Sequence, residues 1–239
     1  MVDHHRPVHT AAAAVADLPR RRPRRRRALR RRELGSALGA LAGAVEARAG
    51  YTELHSRRLA TFSRLLAERL RLGEAEAEAI ELGALLHDVG KIGVPARLLR
   101  KRGRLSPEER REMERHAVLG AGIVSSIHGI SRTTALCVRH HHEHWNGTGY
   151  PDRLAGQAIP LAARIVAVVD VWDALSSVRP YKRAMPQVRV IEILRERRGI
   201  QLDPELVDLL LEILREQGPR MLGLIEAHGA GQRARSLGA

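Results

Sequence analysis

Twelve histidines in 239 residues are less telling than where they fall. His87-Asp88 closes an apolar stretch that holds Ile80, Leu82, Leu85 and Leu86, and Val89-Gly90-Lys91 follows, then a turn through Gly93 and Pro95. An imidazole beside a carboxylate suits Fe, Mn or Zn. Neighbouring side chains on a helix point about 100° apart. The pair can therefore serve one metal only where the helix ends, or where Asp88 bridges two metals. His141-His142-Glu143 opens a second segment, which runs through Gly147 and Gly149 to Tyr150-Pro151. Its glycines let the backbone come close to a ligand. Asp170 lies inside Ile165-Val166-Ala167-Val168-Val169-Asp170-Val171-Trp172. A carboxylate buried unpaired in so apolar a run is costly, so the position calls for a cation. His55 and His116 are further candidates. Each residue alone is explained as well by a surface histidine or a helix-end acid. Several of them on separate helices, each beside an apolar run, is how helical bundles build metal sites.

The elements that must carry these residues read as helices. Leu54, Leu59, Phe62, Leu65, Leu66 and Leu70 recur at helical spacing, and Gly73 ends that helix. A second runs from Glu74 to His87. Ser106-Pro107-Glu108-Glu109 is a helix start, with Ser as N-cap, Pro in the first turn and Glu reaching back; that helix extends to about Ile127. Another covers about Ser131 to Glu143. Pro160 opens a long one through Val178, and Pro186 and Asp203-Pro204 open the last two. Strand alternation is nearly absent and no internal repeat is visible. The expected fold is all-α: a single bundle of about seven helices over residues 34–220, after a leader (1–33) and before a tail (221–239).

Composition agrees. Hydrophobic residues make up 44% and aromatics 3%, so the core must be built from Leu, Ile, Val and Ala, which suits helices. The single cysteine, Cys137, excludes an internal disulfide framework and a cysteine-based zinc site; a reducing, cytoplasmic setting is the simplest inference. Net charge is +14, but residues 20–32 hold ten arginines and no acid, and taking those ten away leaves +4 for the rest. Such a tract repels itself and buries no core, so a disordered leader is expected. A tether to nucleic acid or anionic lipid is the sharper alternative. No stretch reaches the ~20 apolar residues of a membrane span. The start is a poor secretory signal, because its arginines follow the small apolar run instead of preceding it.

Three motifs together resemble the HD-GYP domain, a branch of the HD phosphohydrolases. The HDxGKxxxP element reads His87-Asp88-Val89-Gly90-Lys91-Ile92-Gly93-Val94-Pro95. The HHExxxGxGYP element is His141 to Pro151. The third is Asp170-Val171-Trp172-Asp173-Ala174-Leu175, followed by Arg179-Pro180-Tyr181-Lys182. Order and spacing match over about Tyr51 to Leu214. Two departures are minor: Ala117 stands where proline is frequent, and Asn146 where Asp is common.

The resemblance implies hydrolysis of cyclic di-GMP, a bacterial second messenger, to linear pGpG, with further cleavage to GMP as the alternative end point. It implies metal ligands at His55, His87, Asp88, His116, His141, His142 and Asp170, with Asp88 bridging, and a catalytic role for His87, Asp88 and Lys91. Lys91, Tyr150, Arg179 and Lys182 match positions that hold phosphates and guanine. Other signalling proteins are further partners that the GYP segment could meet. Members with three metals carry a glutamate one turn before the first histidine. That position is Tyr51 here, whose phenol ligates poorly at neutral pH; Glu53 lies on a different helical face. Two divalent ions, Fe or Mn, are therefore expected. Paired metals ~3.5–4 Å apart clamp a phosphodiester and lower the pKa of water, while Lys91 and Arg179 would neutralise phosphoryl charge. Three other readings stay open: a nucleotide-binding interaction module with little activity, an HD enzyme for another cyclic dinucleotide or nucleotide, and a nucleic-acid binder acting through Arg20 to Arg32.

Overall fold

The computed structural model describes residues 23–49, 55–177 and 184–216, with side chains from Leu34 onward. The helices are α1 (Pro23–Ala49), α2 (His55–Arg69), α3 (Glu74–Leu86), a four-residue α4 (Ala96–Leu99), α5 (Pro107–Ser125), α6 (Arg132–His140), α7 (Leu161–Ser176) and α8 (Gln187–Arg197). A further helix, α9, runs from residue 204 to 216. A 3-10 turn, Val89–Gly93, follows α3. No strand occurs among the described residues, only isolated bridges, and the all-α expectation holds. Two helical features go beyond it. α4 is an extra turn after Pro95, and α1 begins at Pro23, inside the arginine tract, where proline suits a first helical position and arginine is a good helix former. No described helix is long and apolar enough to cross a membrane.

The starts and stops follow local chemistry. Ser106 and Glu109 form a reciprocal capping box at the head of α5, with Pro107 in its first turn. Ser131 caps α6 by accepting from the Thr134 amide. Gly73, which extends the chain between α2 and α3, is the N-cap of α3.

α7 is the central helix. Ile165, Val166, Val168, Val169, Trp172 and Leu175 are all buried, which is what a helix apolar nearly all round requires. α2, α3, α8 and α9 bury Leu59, Leu66, Ile80, Leu194, Leu206 and Leu210 in the same cluster. A smaller cluster joins Leu38 and Ala42 of α1 to Leu86, Val89, Val124 and Val138. The helix ends that carry the candidate ligands lie next to this smaller cluster, His87 and Asp88 between Leu86 and Val89 and His141 after Val138.

Close backbone approaches set how the helices meet. A Cβ on Gly90 would fall 1.9 Å from the His116 carbonyl oxygen, and one on Gly120 would fall 3.1 Å from the Gly90 nitrogen. The 3-10 turn after Asp88 therefore rests directly on α5, which only glycine allows. At Gly83 a Cβ would lie 2.7 Å from the Cys137 sulfur, so α3 and α6 are also close. Cys137 is fully buried and burial pushes its thiol pKa up.

One core position is imperfect. Ser63 on α2 is fully buried and its Oγ has no hydrogen-bond partner. A buried hydroxyl that gives up water without replacement costs stability. Ser63→Ala is expected to stabilise the fold by about 1 kcal/mol, read as a rise of about 2–4 °C in Tm. A fall in Tm would show that the hydroxyl does find a partner.

Candidate metal centre

Each ligand candidate sits at a helix end or faces one. His87 is the residue that ends α3 and Asp88 follows it out of the helix, at φ −98 and ψ 5. α6 ends at His140, so His141 and His142 also lie just past a helix end. Adjacent residues can then turn to one side, which a continuing helix forbids. His55 is the first residue of α2, His116 is in the middle of α5 and Asp170 in α7.

The side chains gather in two groups. Asp88, His116, His141 and His142 present ligand atoms within 4.8 Å of one another, and so do His55, His87 and Asp170. The groups adjoin. His87 Nε2 lies 3.3 Å from Asp88 Oδ2, and the His87 and His141 rings are 5.1 Å apart between centroids. His116 Nε2 is 3.5 Å from Asp88 Oδ1 and 3.5 Å from His141 Nε2. His55 Nε2 is 3.5 Å from Asp170 Oδ1.

Hydrogen bonds on the far side of the rings fix their orientation. Nδ1 of His87, His116 and His141 lies 2.8, 2.7 and 2.9 Å from the carbonyl oxygens of Ala84, Met113 and Val138. A carbonyl only accepts, so Nδ1 carries the proton and donates. Nε2 of His116 and His141 is thereby turned to the group with its lone pair, and that of His87 is turned the same way and offers its lone pair once its proton is displaced, the arrangement of metal-binding histidines. His55 reaches the same end differently: its Nδ1 is 2.7 Å from Asp173 Oδ2. Arg58 donates to both oxygens of Asp173, at 2.6 and 3.1 Å, and Ser177 Oγ donates at 3.1 Å.

Asp173 revises the reading of α7. The acid buried in the apolar run is Asp173, whose side chain is 2% exposed; Asp170 keeps 25% of its side chain exposed. The Asp173 carboxyl is held well below the usual range: burial opposes ionisation, but His55 and Arg58 outweigh it. The i,i+3 spacing of Asp170 and Asp173, and of His55 and Arg58, was the available signal for this second layer.

The electrostatics suit a cation. Burial dominates at His141 and His142 and, with neighbouring imidazoles, holds both well below their usual pKa, so both are neutral. Burial also lowers His116. At Asp88 burial works against the charge, yet Lys91 and His87 hold the carboxyl well below its usual value. Lys91 Nζ sits 2.5 Å from Asp88 Oδ2. His87 is the exception: burial pulls it down, but Asp88 and Asp170 outweigh this and push it up to about 9. That imidazole would hold a proton at neutral pH. The negative potential that keeps the proton there is what attracts a metal, and metal ligation displaces such protons. The other oxygen, Asp88 Oδ1, is buried with no hydrogen-bond partner. An orphaned carboxylate oxygen facing neutral imidazole nitrogens is costly unless a cation meets it. On this donor chemistry the residues fit divalent metal.

Tyr150 borders the first group, its ring 4.9 Å from that of His142, and burial pushes its phenol pKa up. The loop that presents it is anchored by Glu143, which accepts from the amides of Asp152 and Leu154 at 2.7 and 3.1 Å. A Cβ on Gly149 would lie 2.2 Å from the His144 nitrogen, so glycine is required there. Tyr51, Glu53, Arg179 and Lys182 lie outside the described residues, as do residues 1–22 and the tail.

A model of the HD domain family matches residues 41–206. The chain belongs to that family, which bears out the resemblance carried by the three motifs. It is 45% identical over 175 residues to the cyclic di-GMP phosphodiesterase response regulator RpfG of Xanthomonas campestris, covering 73% of this chain and 46% of that protein. It is 40% identical over 173 residues to the 3'3'-cGAMP-specific phosphodiesterase 2 of Vibrio cholerae, covering 72% of this chain and 33% of that one. The chain thus spans less than half the length of these curated relatives. Among solved structures it is similar in fold to a cyclic GMP-AMP-specific phosphodiesterase of Vibrio cholerae, at TM-score 0.65 and 21% identity, over 82% of this chain and 52% of that one.

Proposed function

We propose that this chain is a phosphodiesterase that opens cyclic di-GMP to linear pGpG at a centre of two divalent metals, iron or manganese. The observation that carries the reading is the pair of adjoining ligand groups, with Asp88 of one group 3.3 Å from His87 of the other. The relatives named as cyclic di-GMP phosphodiesterases support the substrate. Asp88, His116, His141 and His142 would hold one ion and His55, His87 and Asp170 the other, with Asp88 turned to both. Two ions, not three, follow from Tyr51, a phenol where a third site would need a carboxylate.

When bound, the metals supply Lewis acidity and a water of lowered pKa. The chain supplies the rest. Water adds its oxygen to phosphorus, the bond to the 3'-oxygen breaks, and a 5'-phosphate and a 3'-hydroxyl result. Lys91, already held at the centre by Asp88, places a positive charge where phosphoryl charge grows. Tyr150, neutral and beside His142, offers a hydrogen-bond donor and a ring face to the nucleotide. Arg179 and Lys182 grip the phosphates, Arg by a bidentate fork and Lys as a point charge. The setting is the bacterial cytoplasm, where cyclic dinucleotides act.

A second reading is hydrolysis of 3'3'-cGAMP, favoured by the names of other relatives. It needs the same phosphodiester chemistry and differs only at one base.

Protein purified without oxygen should carry two metal ions per chain and open cyclic di-GMP at least about tenfold faster than 3'3'-cGAMP, a difference of about 1.4 kcal/mol in transition-state binding. Preference for the mixed nucleotide would favour the second reading, and no turnover of either would sink both. Changing Arg179 and Lys182 together to alanine should raise KM about tenfold or more, since charged contacts to phosphate are worth about 1.5–3 kcal/mol each, and leave metal content intact. An unchanged KM would place the phosphate grip elsewhere.

A further inference from the structure

The last turn of α1 carries two polar side chains that the reading above does not use. Glu46 is buried, 3% exposed. Its Oε1 accepts from the backbone N–H and from the Oγ of Ser56, each at 2.6 Å. Ser56 directly follows His55 in the first turn of α2. A carboxylate at that point answers the unpaired N–H groups and the positive end of the helix dipole. Two residues on, Arg48 donates to the carbonyl oxygens of Val94 at 3.0 Å and Lys91 at 3.4 Å, and to that of Ile92. Lys91 and Ile92 belong to the turn that begins just after Asp88, and Val94 is the residue that ends it. One helix end is thus tied on one side to the residue after His55 and on the other to the turn after Asp88. His55 is in one ligand group and Asp88 in the other.

We infer that Glu46 and Arg48 are positioning residues that set the spacing of the two ligand groups; the inference rests on the metal-centre reading. Neither ligates. The apolar packing of α2 on α3 is non-directional, so it resists separation better than sliding. Hydrogen bonds from a charged group to backbone are directional and strong. A site loosened by about 1 Å loses its function even when every ligand is present.

The two residues differ in what can replace them. Ser56 needs only an acceptor oxygen, so glutamine can stand in for Glu46. Arg48 spans three carbonyls with a planar fork, which the single ammonium of lysine cannot do. The conservative variants should therefore behave oppositely, a pattern that general destabilisation would not produce.

The test is titration of the full chain with Mn²⁺ alone by calorimetry, together with unfolding temperature in chelator. Glu46→Ala, Arg48→Ala and Arg48→Lys are expected to weaken Mn²⁺ binding about 10–100-fold, the usual cost of losing an outer support of a metal site. Glu46→Gln should stay within about threefold of wild type, well inside that range. Should the alanine variants fail to fold, Glu46→Gln and Arg48→Lys decide. Arg48→Lys binding Mn²⁺ as tightly as wild type, or Glu46→Gln as weak as a disabled site, would overturn the inference. Wild type that binds no Mn²⁺ would overturn the metal-centre reading and this with it; tight wild-type binding with undiminished variants overturns this alone.

Discussion

Alanine at Asp88 is expected to abolish turnover and remove at least one metal per chain while the helices stay folded. The carboxylate is the side chain that touches both ligand groups: His87 Nε2 at 3.3 Å on one side and His116 Nε2 at 3.5 Å on the other. Its Oδ1 has no protein hydrogen bond to lose. The residue lies outside α3, and at the head of the 3-10 turn it is its backbone carbonyl and not its side chain that accepts a hydrogen bond, so alanine can keep the turn. The fall in rate should exceed the roughly 10–100-fold that loss of an outer support of a metal ligand causes, because an inner ligand is lost and Lys91 loses its anchor. Metal analysis, far-UV circular dichroism and cyclic di-GMP turnover check the three parts separately. A variant with wild-type rate would remove Asp88 from the mechanism.

Gly90→Ala should have the largest effect on stability. The added Cβ meets the His116 carbonyl oxygen at 1.9 Å and the Gly120 nitrogen at 2.5 Å. Both are backbone, and neither can rotate away. The 3-10 turn must lift off α5, which costs on the order of 3 kcal/mol and lowers Tm by about 6–12 °C for a domain of this size. The same displacement separates Asp88 from His116, so metal affinity should fall with stability. Gly122→Ala on the same helix is the control. Nothing lies within 4 Å of its Cβ, and the change should be neutral or slightly stabilising. Equal Tm for Gly90→Ala and wild type would show that the contact is not as close as described.

Much of the centre was legible in the sequence because its chemistry is written in residue types that apolar helices otherwise avoid. His87-Asp88 and His141-His142 stood out as paired donors at the ends of apolar runs; the boundary at His87 was marked by its run, whereas the helix expected to reach Glu143 ends at His140 and so frees both histidines. The capping box at Ser106 was readable because it depends on four consecutive residues. The layer behind the ligands was not. Asp173 was quoted only as part of a motif, since its partners, His55 and Arg58, lie 118 and 115 residues away. Glu46 belongs to none of the motifs, and its bond to Ser56 runs from one helix to the next.

What the sequence alone determined is the periodicity of the helices, their caps, the inventory of donors and the family motifs, all of which are local and repeat at fixed spacing. Which donors share a group, which aspartate of α7 is buried and which stays open, and how closely the turn at Gly90 rests on α5 were decided by tertiary structure. Those properties are distances between helices, and they depend on how side chains from separate runs interdigitate. A pattern along one helix specifies which face is buried, but not its rotation and height against a neighbour to within an ångström. Packing of the whole core sets that last ångström, and metal chemistry depends on it.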